Sequence, residues 1–317
     1  MGIDIHNLNL LAHAQDLGVH FDRTLAIGRQ ALFIEDFELE QHRVSRGLPP
    51  LVEPAAAPGR ARYFEPLAEQ WLGASAADSV DASPYENARL IHDMNLPWPS
   101  SGSLAEARAS YDAVLDFGCL EHVFNFPVAW RNCVDLCRVG GHVLHALPAN
   151  NLAGHGFYQF SPELFFNLYR LDNGFELCGL YFAMKADARH WWKVANPMAV
   201  KRRVNLRNSH EVYMLVIARK LREMGPLPAP QQSDYAQEEW VRGGASAVAA
   251  ATPASAAASA TSARRTWVRR FAQWGVLDAL RAGRERWQVV RHSALALPPP
   301  DYQRVDVPAL IAKTRSR

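Results

Sequence analysis

The chain predicts a doubly wound α/β fold with a mostly parallel sheet, and two observations carry that expectation. The first is the run from Tyr111 to Glu163, YDAVLDFGCLEHVFNFPVAWRNCVDLCRVGGHVLHALPANNLAGHGFYQFSPE, which reads strand, polar loop, helix, glycine turn, strand, polar loop, helix. Two strands joined through a helix form a right-handed βαβ unit and bring both strand ends to one edge of a parallel sheet. The second is a pair of long apolar segments, Gly174 to Phe182 and Glu211 to Arg219, rich in aromatic or β-branched residues. They suit an antiparallel pair closing such a sheet at its edge.

Taken in order, residues 1–22 read as a lead-in helix ending near Gly18, and Thr24 to Ile27 as the first strand. Arg29 to Ser45 is helical in pattern, with Leu32, Phe33, Phe37 and Leu39 at the apolar positions. A proline- and alanine-rich loop runs from Gly47 to Gly59, and Tyr63 to Leu72 is an amphipathic helix closed at Gly73. Ala77 to Asp81 and Arg89 to Asp93 are the second and third strands, and a short helix is expected around Leu104 to Ala109. Asp112 to Asp116 is the fourth strand and Pro127 to Cys137 a helix. Arg138-Val139-Gly140-Gly141 stops that helix, because glycine takes the left-handed C-terminal geometry without steric penalty. His142 to Leu147 is the fifth strand. Ser161 before Pro162 marks a helix start. The segment between the antiparallel strands, KADARHWWKVANPMAVKRRVNLRNSH, is too long for a hairpin turn and reads as a lid or substrate-side insertion.

Three regions follow: an α/β domain over 1–224, a flexible Pro/Ala/Ser-rich linker over 225–263, and a basic amphipathic helix with an extended tail over 264–317. From Arg264 onward twelve Lys/Arg face four acidic residues, which leaves 22 basic and 28 acidic residues in the rest. The main body therefore carries no sign of a nucleic-acid surface. The helix over 264–292 has an aromatic stripe flanked by arginines, which suits a peripheral membrane surface, a protein partner or the chain's own body. Hydrophobic content of 49% supports a sizeable core, and no apolar run approaches the ~20 residues of a membrane span. The N-terminus lacks the basic region of a secretory signal, and His6 breaks the myristoylation pattern. Cys119, Cys133, Cys137 and Cys178 have no CxxC spacing, so reduced thiols and a cytoplasmic location are expected.

Ligands of open α/β sheets bind outside the carboxyl ends of the strands. At that edge the sequence gathers Asp116, Glu121, His122, Asn150, Asn151, His155, Tyr158 and Gln159. Aspartate and histidine together perform general-base chemistry near neutral pH, and glycines on both sides of His155 point to a backbone that presents the imidazole. The bland alternatives are a solvated helix start at Glu121-His122 and a structural turn at Gly154–Gly156. A metal site is not expected: His122, His142, His145 and His155 lack HxxxH or HExxH spacing, and His142 and His145 point to opposite faces of one strand. Trp191-Trp192 reads as an aromatic anchor of the insertion or, less directly, a stacking surface. Cys119 reads as a small buried hydrophobe.

YDAVLDFGCLEHV, followed by a helix and VGGHVLHALP, resembles the class I S-adenosylmethionine-dependent methyltransferases. The resemblance is specific between Tyr111 and Pro148 and extends in organisation over about the first two-thirds of the chain. It implies S-adenosylmethionine as cofactor, held by Gly28, Arg29, Asp81, Asp93 and Asp116. It further implies methyl transfer to an oxygen or nitrogen of a small molecule or glycan precursor, with His155 or His122 taking the acceptor proton and Asp116 and Tyr158 orienting the acceptor. Where the family has an acidic residue and several glycines after the first strand, this chain has Ala26, Gly28, Arg29 and Gln30. Two other readings therefore stand beside the enzyme: a catalytically inactive methyltransferase-like binding or assembly module, and an enzyme for a nucleotide-sugar or phosphorylated ligand.

Overall fold

The computed structural model describes residues 2–52, 61–226, 230–236 and 301–312. The Ala/Ser-rich tract and the helix expected over 264–292 lie outside the described residues. In chain order the described elements begin with β1 (Gly2–Ile3), α1 (Ile5–Asp16), β2 (Arg23–Ile27), β3 (Ala31–Leu32), α2 (Asp36–Arg46) and α3 (Glu65–Leu67). A π-helical turn over Ala68–Leu72 extends α3. Next come β4 (Ala76–Asp81), β5 (Leu90–Ile91), β6 (Tyr111–Phe117), α4 (Phe126–Leu136), β7 (Cys137–Asn150) and α5 (Pro162–Leu168). The chain continues with β8 (Phe175–Met184), β9 (His190–Val194), α6 (Pro197–Val200), β10 (Val212–Lys220), α7 (Ser233–Ala236), β11 (Tyr302–Asp306) and α8 (Val307–Ile311).

Nine strands form one sheet in the order β11-β9-β8-β10-β7-β6-β2-β4-β5. β5, β4, β2, β6 and β7 are mutually parallel, and β10 runs antiparallel between β7 and β8. This is the expected doubly wound, mostly parallel sheet with an antiparallel pair. The strand order reverses between β2 and β6, so the crevice for a ligand opens there.

Side chains alternate across the sheet, and the alternation splits the core in two. Val114 of β6 packs with Trp130, Phe165 and Leu168 under α4 and α5. Ala113, Leu115 and Phe117 pack on the other face with Leu10, Leu11, Trp71 and Val307, under α1, the π-helical turn and α8.

Three features differ from the sequence expectation. Gly140 and Gly141 do not stop α4, because β7 begins at Cys137, whose backbone is already extended. The carbonyls of Val134 and Cys137 are met instead by the buried ammonium of Lys220, which donates to them at 3.0 and 2.8 Å, and a cation suits a helix C-terminus. Gly141 serves close strand approach: a Cβ there would lie 2.8 Å from the Asp112 carbonyl oxygen. Second, α2 starts only at Asp36, since Ala31–Leu32 is drawn into a short parallel pairing with Gly2–Ile3.

Third, the insertion after β8 is not a lid. Its HWWKV segment forms β9, antiparallel to β8. Trp191 and Trp192 are fully buried on opposite faces of the sheet, so neither offers a ring to a ligand. β9 in turn pairs with β11, so part of the tail expected to be extended closes the sheet's edge. α8 is capped by Asp306, whose carboxylate accepts from the Ala309 amide at 2.9 Å, and it packs against α1. No helix among the described residues is long and apolar enough to cross a membrane.

Candidate active site

The edge where β2, β4, β6 and β7 end divides into the loops after β2, β4 and β5 and the loops after β6 and β7. Among the first, Gly28 follows β2 with φ of 74°, a left-handed turn that glycine adopts freely. Its N–H is committed to the Val80 carbonyl at 2.7 Å. Arg29 does not face an open cleft. Its guanidinium donates to Glu65 at 2.7 Å and to the Glu86 carbonyl at 2.6 Å, and it stacks 3.9 Å above the Tyr63 ring. The arginine thus straps the loop after β2 to the loop after β4, which takes it out of the cofactor-holding role that the resemblance implies. Gln30 folds back, donating to the carbonyls of Ile27 and Gly28 at 2.9 and 3.2 Å.

Asp81 ends β4 half-buried. One of its carboxylate oxygens accepts from the Ser83 amide at 3.3 Å, and the other has no partner among the described residues. A carboxylate at the second strand end with a free oxygen fits a ribose diol. Asp93 is exposed after β5 and closes its own turn, accepting from the backbone and side chain of Asn95, both at 2.9 Å. Those bonds hold its carboxyl below the usual aspartate range. Of these residues Asp81 offers an unpaired carboxylate oxygen among the described residues, while the Gly28 amide and Arg29 are already occupied.

Asp116 is the clearest correction. It shares the Val114 face of β6 and is wholly buried, directly beside His145 in the register of β6 and β7. One carboxylate oxygen accepts from the amides of Cys119 and Leu120 at 3.1 and 3.2 Å, and the other lies 2.6 Å from His145 Nδ1. His145 Nε2 is 2.6 Å from the Tyr169 hydroxyl, which also accepts from Trp130 Nε1 at 2.9 Å. Every member of this chain is satisfied inside the core, so Asp116 can reach neither cofactor nor acceptor. Tyr158 is corrected for a similar reason: its hydroxyl donates to the Phe124 carbonyl at 2.7 Å, and its ring packs on Phe126 and Phe160. Gln159 accepts from the Leu152 amide and closes the loop, and Asn151 ties it to Asn208 and His210. Burial pushes the Cys119 thiol well up, leaving it a neutral packing residue.

In the loops after β6 and β7, Glu121, His122 and His155 come together. Glu121 and His122 sit in a 3-10 turn, Leu120–His122, just beyond β6. His155 arrives on the loop after β7. Gly156, at φ of 73°, lies so close to Glu121 that a Cβ there would approach its carbonyl oxygen to 2.7 Å. The Phe157 amide donates to that same carbonyl at 2.6 Å, which pins the loop on the turn. His155 Nε2 stands 3.4 Å and His122 Nε2 3.9 Å from Glu121 Oε1, and the two imidazoles meet edge to face at 4.9 Å. Glu121 is 1% exposed, and its Oε2 has no hydrogen-bond partner among the described residues. Burial first, and Asp116 second, push its carboxyl up to about 8. Burial and the neighbouring His155 lower the His122 pKa.

These groups line a cavity of about 350 Å³ shared with Gly2, Asp4, Asn7, Phe33, Phe117, Gly118, Lys185 and Tyr213. The contribution of β1 and the start of α1 escaped the sequence reading, because the pairing of Gly2–Ile3 with Ala31–Leu32 leaves no local pattern. The rings of Phe33, Phe124 and Phe157 are exposed around this region. A second cavity of about 440 Å³ lies between α1, α2 and α8, lined by residues such as His42, Gln41 and Arg189. It belongs to neither strand-end edge and has no cluster of convergent reactive groups.

No protein-family model matches the chain, and no curated protein does. Among solved structures, the chain is similar to a 1,6-didemethyltoxoflavin-N1-methyltransferase of Burkholderia thailandensis, with 13% identity over 69% of this chain and 79% of that one, and a TM-score of 0.37. It is similar to a SAM-dependent methyltransferase of Thermotoga maritima, with 15% identity over 69% of this chain and 91% of that one, TM-score 0.33. It is also similar to a branched-chain polyamine synthase of Thermus thermophilus, with 13% identity over 70% of this chain and 59% of that one, TM-score 0.34. Likeness at this level carries no argument about activity.

Proposed function

We propose that the chain is an S-adenosylmethionine-dependent methyltransferase acting on an oxygen or nitrogen of a small molecule or glycan precursor. One observation supports it above the others: the Asp81 carboxylate and the Glu121–His122–His155 cluster open off the same strand-end edge, either side of the point where the strand order reverses. Asp81 would hold the ribose hydroxyls, with the Gly28 turn alongside. The cofactor, when bound, supplies an electrophilic methyl on a sulfonium. An acceptor lone pair would displace the sulfur at that methyl, the sulfur keeping the electron pair of the broken carbon–sulfur bond. The acceptor's proton leaves through the cluster. Positioning supplies most of the rate in such an in-line displacement, and the exposed rings of Phe33, Phe124 and Phe157 favour an acceptor with a flat apolar part. A cytoplasmic setting belongs to the same proposal and fits four free cysteines.

The strap from Arg29 to Glu65 and Glu86 favours one second reading, a catalytically inactive binding module, since it draws together the two loops that would flank a cofactor. A thermal-shift assay with S-adenosylhomocysteine tests the cofactor assignment. Ligand at a hundred times its Kd adds about 2.7 kcal/mol to the stability of the folded state, a rise of several degrees in Tm. No rise at millimolar ligand removes the cofactor from the account. A rise without transfer of labelled methyl to any acceptor in a metabolite extract selects the inactive module.

A further inference from the structure

We propose that Glu121, His122 and His155 form a mononuclear site for a first-row divalent transition metal, of the Zn²⁺ type, at the acceptor end of the cavity. One ligand atom from each of the three residues lies within 4.8 Å of the other two. Ligand atoms around a tetrahedral ion with bonds of about 2.1 Å stand roughly 3.4 Å apart. His155 Nε2 is already at 3.4 Å from Glu121 Oε1, and His122 Nε2 at 3.9 Å needs only a small ring movement. Both imidazoles are about half exposed, at 44% and 53%, so they are free to make that adjustment.

The carboxylate supplies an independent argument. Glu121 Oε2 is buried without a hydrogen-bond donor, a costly condition for a native side chain. An acidic side chain in that state, beside two imidazoles and bordering a cavity, is a fitting ligand for a cation, since no described residue donates to its Oε2. Two histidines and one carboxylate leave coordination positions open, as in catalytic zinc sites and other open transition-metal sites. The loop geometry is built for convergence: Gly156 lets the His155 loop sit on the Glu121 backbone, and the Phe157 amide fixes it there. His145, buried against Asp116 and Tyr169, is not available to the ion. On the methyltransferase reading, an acceptor oxygen or nitrogen would take an open position, and the ion would ease loss of its proton. His122 and His155 would then act as ligands in place of proton acceptors.

The test is a titration of chelator-dialysed full-length protein with Co²⁺, without cofactor, followed by visible d–d absorption. One equivalent should bind and produce the spectrum of a four- or five-coordinate ion, and Zn²⁺ should displace it. His122→Ala and His155→Ala should each weaken Co²⁺ binding by more than the roughly 10–100-fold typical of outer-shell changes, and Glu121→Gln should alter the spectrum while melting like the parent. Absence of saturable binding overturns the proposal. So does one equivalent retained by the His122→Ala/His155→Ala double variant, which would place the ion elsewhere. Both histidines are half exposed, so these variants fold, and melting curves verify it. Co²⁺ binding without any S-adenosylhomocysteine binding would leave the metal site standing and the methyltransferase reading fallen; the converse result would do the reverse.

Discussion

Asp116 and Glu121 are five residues apart and almost equally withdrawn from water, yet their surroundings are opposite. Asp116 has two backbone amides and an imidazole on its oxygens, and the imidazole continues to Tyr169 and Trp130. Glu121 has one oxygen near two histidines and another with no partner among the described residues. A satisfied buried network rigidifies a core, whereas an unsatisfied one stores free energy that only a ligand or a reaction can recover. The difference separates a carboxylate that holds the sheet together from one left open to a ligand. Burial alone would have ranked the two together.

The comparison can be broken most directly at the cluster. The His122→Ala/His155→Ala double variant should lower methyl transfer by about 10²–10⁴-fold, the usual range for losing a group that manages the acceptor's proton. Its affinity for S-adenosylhomocysteine should stay that of the parent, measured alongside. Turnover retained in full would mean that positioning alone carries the reaction and that the cluster is idle.

The next contrast is in stability. Asp116→Ala should cost about 3–5 kcal/mol, because it strands a buried partner and two amides. Glu121→Gln should leave stability nearly unchanged, since a carboxyl raised to about 8 is already largely neutral at pH 7 and the amide keeps its shape. Denaturant melts of the two variants side by side give the answer. If both destabilise equally, the distinction between the two carboxylates fails.

Acid stability sharpens the comparison by setting where it can be made. His13, within hydrogen-bond distance (3.0 Å) of the Tyr181 hydroxyl, and His42, stacked near Trp71, are buried on the α1 and α2 side, away from the cluster. Burial lowers each to about 4 from 6.5. Above pH 6.5 both are neutral, folded or unfolded, and the stability is complete. As pH falls from 6.5 towards 4 the unfolded state takes up protons that the folded state refuses, so stability drops, by an amount on the order of 3 kcal/mol per histidine. The difference in urea midpoint between the parent and His42→Gln isolates one of these groups: it should be constant above pH 7 and change steadily as pH falls through that window. A difference that stays constant down to pH 4.5 would contradict the burial of His42.

Much of the sheet was legible in the sequence. The five parallel strands and the antiparallel pair follow from apolar runs between turn signals, and Ser161-Pro162 starts α5 as its side chains require. The site was legible in part. Asp81 and the Glu121–His122–His155 grouping lie where strand ends place them, but Asp116 was misassigned. Alternation puts it on the face of Val114, and in a sheet covered on both sides each face reads as equally apolar, so nothing local separates an inward carboxylate from an edge one. The spacing rule for metal ligands describes one helix or one loop, so it does not register the grouping of Glu121, His122 and His155. His155 comes from another loop, 33 residues beyond His122, brought over by the contact of Gly156 with Glu121. The strand at HWWKV and its pairing with residues 302–306 rest on contacts across more than a hundred residues, beyond the reach of any local pattern.

The account stands or falls on a nucleoside bound at the ends of β2 and β4, and isothermal titration of the full-length chain with S-adenosylhomocysteine tests it. The wild type should give a saturable isotherm, and Asp81→Ala should weaken it by about 1.5–3 kcal/mol, the range for hydrogen bonds to a charged group. No heat of binding at millimolar ligand, or an isotherm that Asp81→Ala leaves unchanged, would contradict it.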